Sequence, residues 1–171
     1  MACPSLDALA AEYRERGVQS AFVYVREAHP GEYFPHHDSM ERKLAHAREF
    51  HRRFNVQRPI LVDDLDGTAH RAFGMLPNMT YIIDQRHTNV FRADWTDVSL
   101  IRIALDYALG TQEQHHNGLR PAPYFAELLG LRQVDQAAFD AGLLRNGPKA
   151  HTEFYEAMKR RRRSTSPRQE D

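Results

Sequence analysis

The stretch Phe22-Val23-Tyr24-Val25-Arg26-Glu27-Ala28-His29-Pro30 decides how this chain is read. With Ala21 before it, the first half is short, apolar and rich in β-branched and aromatic residues, which predicts a buried strand over 21–25. The second half turns polar and breaks at Pro30-Gly31. Open α/β sheets place their functional crevices just beyond the carboxyl ends of such strands, which is where Glu27 and His29 stand. An imidazole there moves a proton near neutral pH, and a neighbouring carboxylate raises its pKa and orients its ring. The bland alternative is a polar strand end.

Upstream, Pro4 suits the first turn of a helix, and Leu6, Leu9, Ala10 and Tyr13 recur at helical spacing, predicting a helix over 4–16. Downstream, Ser39 is a helix cap ahead of Met40, Leu44, Ala47 and Phe54, so a second helix is expected over 39–54, with Arg42 on its exposed face. Pro59-Ile60-Leu61-Val62 reads as a second buried strand, followed by an acidic turn and a short helix through Phe73 that Gly74 ends. Thr80 to Asp84 and Asn89 to Ala93, joined by a polar turn, form a hairpin. Asp97 caps a helix whose apolar stripe, from Leu100 to Ala108, is expected to stop at Gly110.

The expected organisation is therefore a domain over 1–110, a helical extension over 111–158 and a basic, disordered tail over 159–171. Residues 111–123 read as a linker, and short helices are expected at 124–131, 134–144 and 148–158. The tail, opening on Lys159-Arg160-Arg161-Arg162-Arg163, lacks the apolar content to order itself. There is no internal repeat.

Composition narrows the function classes. Basic and acidic residues balance at 23 each, so no global field draws the chain to nucleic acid or to an anionic membrane. The run 159–163 lacks interleaved aromatics and reads as a solvated helix end. A single cysteine, Cys3, excludes an intrachain disulfide, a CxxC pair and a four-cysteine zinc site, and suits a reducing cytosol. No apolar run approaches the roughly 18 residues of a membrane span and no signal peptide is visible, so a soluble, cytoplasmic chain is expected. No cofactor is implied. The pairs His36-His37 and His115-His116 carry no metal-ligand spacing, adjacent side chains diverge, and solvated loop histidines with no metal are expected.

Val62-Asp63-Asp64-Leu65-Asp66-Gly67-Thr68 resembles the first motif of haloacid-dehalogenase-type phosphatases, in which one carboxylate attacks phosphorus and Mg²⁺ neutralises the phosphate. That chemistry needs a lysine and a second acidic pair on later strands, yet the only lysines after Thr68 are Lys149 and Lys159. The favoured reading is a turn and helix cap.

Several segments together resemble the iodothyronine deiodinases and their bacterial redoxin-like relatives. They are Pro4 to Leu9 with Glu12-Tyr13-Arg14, then Phe22 to Pro30, then Leu61 to Gly67, and finally Ala72-Phe73-Gly74-Met75-Leu76-Pro77 with Tyr81-Ile82-Ile83. The resemblance covers roughly residues 4–109, in the family's order. It implies an α/β, thioredoxin-like three-layer sandwich with a C-terminal helical extension. It makes Glu27 and His29 the acid pair beside the redox centre, binding a substrate hydroxyl or shuttling a proton. It matches Pro77, with Leu76, to the substrate-facing turn, implying a cis Leu76-Pro77 bond, and places Arg92 and Trp95 near the same mouth.

The resemblance also implies a loss. The family's nucleophile falls upstream of Met1, together with the first strand, which lies between the strands placed here at 21–25 and 80–84. Those strands must pair directly, leave their edges open or recruit another chain, and open apolar edges invite homo-oligomers. The true start lies upstream, or the chain is a decayed or regulatory homologue. A rival reading makes Cys3-Pro4 a shortened redox turn, since a thiol at a helix N-terminus has a lowered pKa. The functional expectation is a thiol-dependent oxidoreductase. It would reduce a halogenated aromatic, peroxide or disulfide, with thioredoxin or a small thiol as reductant and a small molecule as substrate. The alternatives are a catalytically inactive thioredoxin-like binding module and, third, the phosphatase.

Overall fold

The computed structural model of the chain describes residues 3–120 and 135–165. Among these residues it is a mixed α/β structure of six helices and two separate two-stranded sheets. The expected helix at 124–131 lies outside the described residues.

Helix α1 (Cys3–Arg14) leads to strand β1 (Phe22–Tyr24), then helix α2 (Met40–Phe54) and strand β2 (Ile60–Val62). Strands β1 and β2 pair in parallel, with Phe22 opposite Ile60 and Tyr24 opposite Val62, as a β-α-β crossover requires. Ser39 caps α2 as expected, its hydroxyl accepting from the Arg42 amide at 3.2 Å. At the other end Asn55 takes a left-handed conformation and closes the helix.

Helix α3 (Thr68–Ala72) follows the acidic turn, and strands β3 (Thr80–Ile83) and β4 (Asn89–Ala93) form the expected antiparallel hairpin, with an irregularity between Ile82 and Ile83. Helix α4 (Val98–His116) starts at its Asp97 cap but does not stop at Gly110. An interior glycine costs a helix only about 1 kcal/mol relative to alanine. Gln112, Glu113 and Gln114 then carry α4 on, and the left-handed glycine beyond its end is Gly118, at φ 71°. Residues 111–116 are therefore helix rather than linker.

Helices α5 (Gln136–Asn146) and α6 (Pro148–Thr165) are the last of the described elements. The basic run 159–163, expected to be disordered, belongs to α6. Lysine and arginine are good helix formers, and their charge is favourable at a helix C-terminus.

The largest buried cluster joins α1 to α4: Leu6, Leu9, Tyr13, Ile101 and Leu105, with Phe22 and Ile82 packed against it. At the edge of that seam the Tyr13 hydroxyl donates to Asp106 at 2.8 Å, and Arg16 pairs with the same carboxylate at 2.7 Å. A buried pair, Arg58 and Asp7 at 2.7 Å, ties α1 to the approach of β2, and the guanidinium lies 4.0 Å from the Phe22 ring centre. Breaking a buried ion pair leaves an uncompensated charge, so this pair, which Ser20 and the Gln57 amide support, fixes where α1 sits.

The strands themselves are less buried than expected. Val23 and Leu61, opposite each other in the ladder, are 46% and 57% exposed. Val23 and Leu61 share one face of the β1–β2 ladder, and that face is left partly open; among the described residues no strand joins β1 to β3, so each sheet also keeps an open edge.

Candidate functional site

Two sites emerge, a long cleft between the sheets and a small cavity beyond the end of β1.

The cleft encloses about 1730 Å³. Its floor is the α1–α4 seam, including Leu9, Tyr13, Ile101 and Leu105; one wall is β1 and the other is β3. No residue of β2 lines it. Phe22 accepts no other role for its amide than donating to the Pro59 carbonyl at 2.8 Å, and the Tyr24 carbonyl accepts from Asp63, so both turn their backbone groups toward β2. Strand alternation then aims the N–H and C=O of Val23 at the cleft. Leu76 and Pro77, expected to contact substrate, do line this cleft and are exposed. The expected cis bond between them is absent, because the described chain contains no cis peptide. The reversal before Pro77 is made instead by Gly74 and Met75, both at positive φ (98° and 64°), which leaves the proline in its ordinary trans state. Arg92 pairs with Asp94 at 2.8 Å on the surface, and Trp95 is exposed.

The small cavity, of about 290 Å³, is lined by Val25, Glu27, His37, Lys43, His70 and neighbours. Glu27 reaches it because β1 ends at Tyr24 and the chain turns back. The Tyr24 hydroxyl donates to the Glu27 carboxylate. His37 Nε2 stands 3.9 Å from Glu27 Oε1 and 3.1 Å from Nδ1 of His46, which α2 presents. Burial pushes the Glu27 carboxyl up, only partly offset by the Tyr24 hydroxyl and by His46 and His36. Burial, helped by His46 and Lys43, pushes His37 down to about 4, so its imidazole is neutral at physiological pH.

His37 was expected to be a solvated loop histidine; its side chain is only 5% exposed. Tyr24 and His46 pack against it, with ring centres 5.7 and 5.1 Å away, which takes it out of solvent. His36, His115 and His116 are exposed, as expected. Glu27 and His37 are thus brought together, whereas His29 goes elsewhere. Its ring packs edge-on against Phe154 and Phe139, with centres 5.3 and 6.2 Å away, and burial lowers its pKa instead of a carboxylate raising it. The acid pair inferred from the sequence is therefore split between two neighbourhoods. Cys3 is the first residue of α1.

The acidic turn behaves as a cap. Both oxygens of Asp63 are occupied by backbone amides, from Ala69 and His70 at 2.9 Å and from Asp64 at 3.0 Å, and Asp64 accepts from the Thr68 amide at 2.8 Å. Lys43, buried on α2, donates to the Asp64 carbonyl at 2.7 Å and locks the turn to that helix. Asp64, the first carboxylate of the Asp64-Leu65-Asp66-Gly67-Thr68 segment, is turned back onto the Thr68 amide as a helix cap, which favours the turn over the phosphatase motif.

Among known proteins, no family model and no curated protein matches the chain. No helix of the described residues is long and apolar enough to cross a membrane.

Proposed function

We propose that this chain is a catalytically inactive binding module of thioredoxin-like type that accepts an extended polypeptide strand between β1 and β3. The observation that carries the reading is the cleft itself, where two strand edges that are unpaired among the described residues face one apolar trough floored by α1 and α4. Strand addition supplies main-chain hydrogen bonds for affinity and side-chain pockets for specificity. An entering strand would have neighbours on both edges, about 4.8 Å away on each side. Strands enclosed in this way read as continuous Val, Ile and Leu runs, so the partner segment is apolar rather than alternating. Exposed apolar side chains along the walls, among them Val23, Phe73, Ile83 and Tyr107, give it surface to cover.

The oxidoreductase of deiodinase and redoxin type is the second reading. It is favoured by a buried carboxyl with a raised pKa, Glu27, close behind the carboxyl end of β1. It needs a thiol beside that acid, and the split between Glu27 and His29 counts against it.

The test uses the full chain and a synthetic heptapeptide of alternating valine and isoleucine with a lysine at each end. Amide hydrogen exchange is expected to slow at Val23 and along Thr80–Ile83 when the peptide is added, and to stay unchanged when a proline replaces its central residue. Equal exchange with both peptides overturns the proposal.

A further inference from the structure

We propose that Glu27, His37 and His46 form a binding site for a divalent transition-metal ion of the zinc type, with a fourth position open to the cavity beyond β1. The three residues come from different parts of the chain: the turn after β1, the loop before α2 and the body of α2. One donor atom from each lies within 4.8 Å of the others. Zinc bonds of 2.0–2.2 Å to imidazole nitrogen and carboxylate oxygen, in tetrahedral geometry, set the donors about 3.4 Å apart. The observed separations of 3.1 Å (His37 to His46) and 3.9 Å (His37 to Glu27) bracket that value, so an ion is accommodated by small side-chain rotations.

The donor set has the chemistry of an open zinc site, two imidazoles and one carboxylate, and two nitrogens with one oxygen select against calcium and magnesium. The surroundings hold the ligands in place. Tyr24 donates to Glu27, and Phe34 packs edge-on against the His46 ring with centres 5.1 Å apart. Such outer contacts orient ligands and raise metal affinity. The side chains of His37 and Glu27 are 5% and 15% exposed, so the ion would be largely shielded. A second buried imidazole, His70, lines the same cavity, and its Nε2 has no hydrogen-bond partner among the described residues. The cavity wall also carries three cationic residues, Arg26, Lys43 and Arg71, against one further carboxylate, Asp66. Next to an ion left with one net positive charge by Glu27, these favour an anion, hydroxide or a small carboxylate, in the fourth position.

The alternative is a hydrogen-bonded histidine pair beside a carboxylic acid, and zinc titration of the metal-stripped full chain separates the two. Calorimetry is expected to show saturable uptake of one zinc ion per chain, weakened tenfold or more in His37→Ala and in Glu27→Gln, and unchanged in the double variant His115→Ala, His116→Ala. One equivalent of zinc should also shift the imidazole ¹⁵N signals of His37 and His46 in the unaltered chain, a reading that does not depend on how the variants fold. Failure to take up one equivalent, or shifts confined to other histidines, overturns the proposal.

Discussion

Asn146 reaches across 117 residues to His29: its side-chain amide donates to the His29 carbonyl at 2.8 Å. Around this bond the Asn146 carbonyl accepts from the Tyr33 amide at 3.1 Å, and the Glu32 carboxylate accepts the Lys149 amide in the first turn of α6 at 3.0 Å. The α5–α6 pair is thereby fastened to the loop after β1. Asn146→Ala should cost about 1 kcal/mol. Gly147→Ala should cost more, since Gly147 holds φ 118° and a Cβ there would fall on the Glu32 backbone nitrogen and carboxylate. Limited proteolysis checks this: both variants should be cut faster within 136–158, Gly147→Ala the more so, with residues 3–116 surviving. Uniform digestion of both halves would refute separate docking.

A second expectation concerns acid stability. Burial alone would push the Asp63 carboxyl up, but the amides of His70, Ala69 and Asp64 outweigh it and hold the group below its ordinary value. The unfolded chain therefore takes up this proton at higher pH than the folded one. The stabilisation is complete above the ordinary aspartate value of about 3.9 and is lost as pH falls through the lower folded value. Asp63→Asn should be less stable at neutral pH, by roughly 1–3 kcal/mol, and should lose less on acidification. Urea unfolding at a series of pH values between 6 and 2 decides it; parallel curves for the two proteins would be the wrong result.

The phosphatase reading is tested on the neighbouring residue. With Asp63 and Asp64 both engaged as caps, p-nitrophenyl phosphate and Mg²⁺ should give no turnover above a protein-free control, and Asp64→Asn should change nothing. Mg²⁺-dependent release that vanishes in Asp64→Asn would reverse this assignment.

For the cleft, Val23→Lys places a charge on an open edge, the means by which sheets resist unwanted pairing. It should leave the thermal midpoint within a few degrees, because Val23 is half-exposed, while abolishing peptide protection at Thr80–Ile83. Retained protection would mean that the peptide binds elsewhere.

Thiol chemistry gives a fifth comparison. Consumption of hydrogen peroxide or of a disulfide in the presence of excess dithiothreitol is expected to be the same for the wild-type chain, for Cys3→Ser and for buffer. Turnover that is lost in Cys3→Ser would restore the oxidoreductase reading.

Most elements were legible because their signals are local. Ser39 and Asp97 announce helices through side-chain caps, and Asp63 closes a turn with amides six and seven residues on. Gly110 misled, since a stop signal at one residue competes with helix formers on both sides. The cavity beyond β1 was half legible. Glu27 followed from its place after a strand, but His37 and His46 meet only through the packing of α2, and no spacing rule marks such a pair. The surroundings of His29 were hidden for the same reason in reverse: its neighbours Phe139 and Phe154 lie more than a hundred residues away.

The separation of β1–β2 from β3–β4 bears on how this chain unfolds. With no strand pairing between them among the described residues, heat or denaturant has little reason to melt the halves together, and each becomes a subglobal unit with its own opening free energy. The α1–α4 seam, together with the α3 segment that joins Asp63 to the Phe73–Tyr81 ring contact, transmits the loss of one to the other. A guest strand would bridge them, so filling the cleft should be registered less as a higher midpoint than as a sharper transition, two loosely coupled events fused into one.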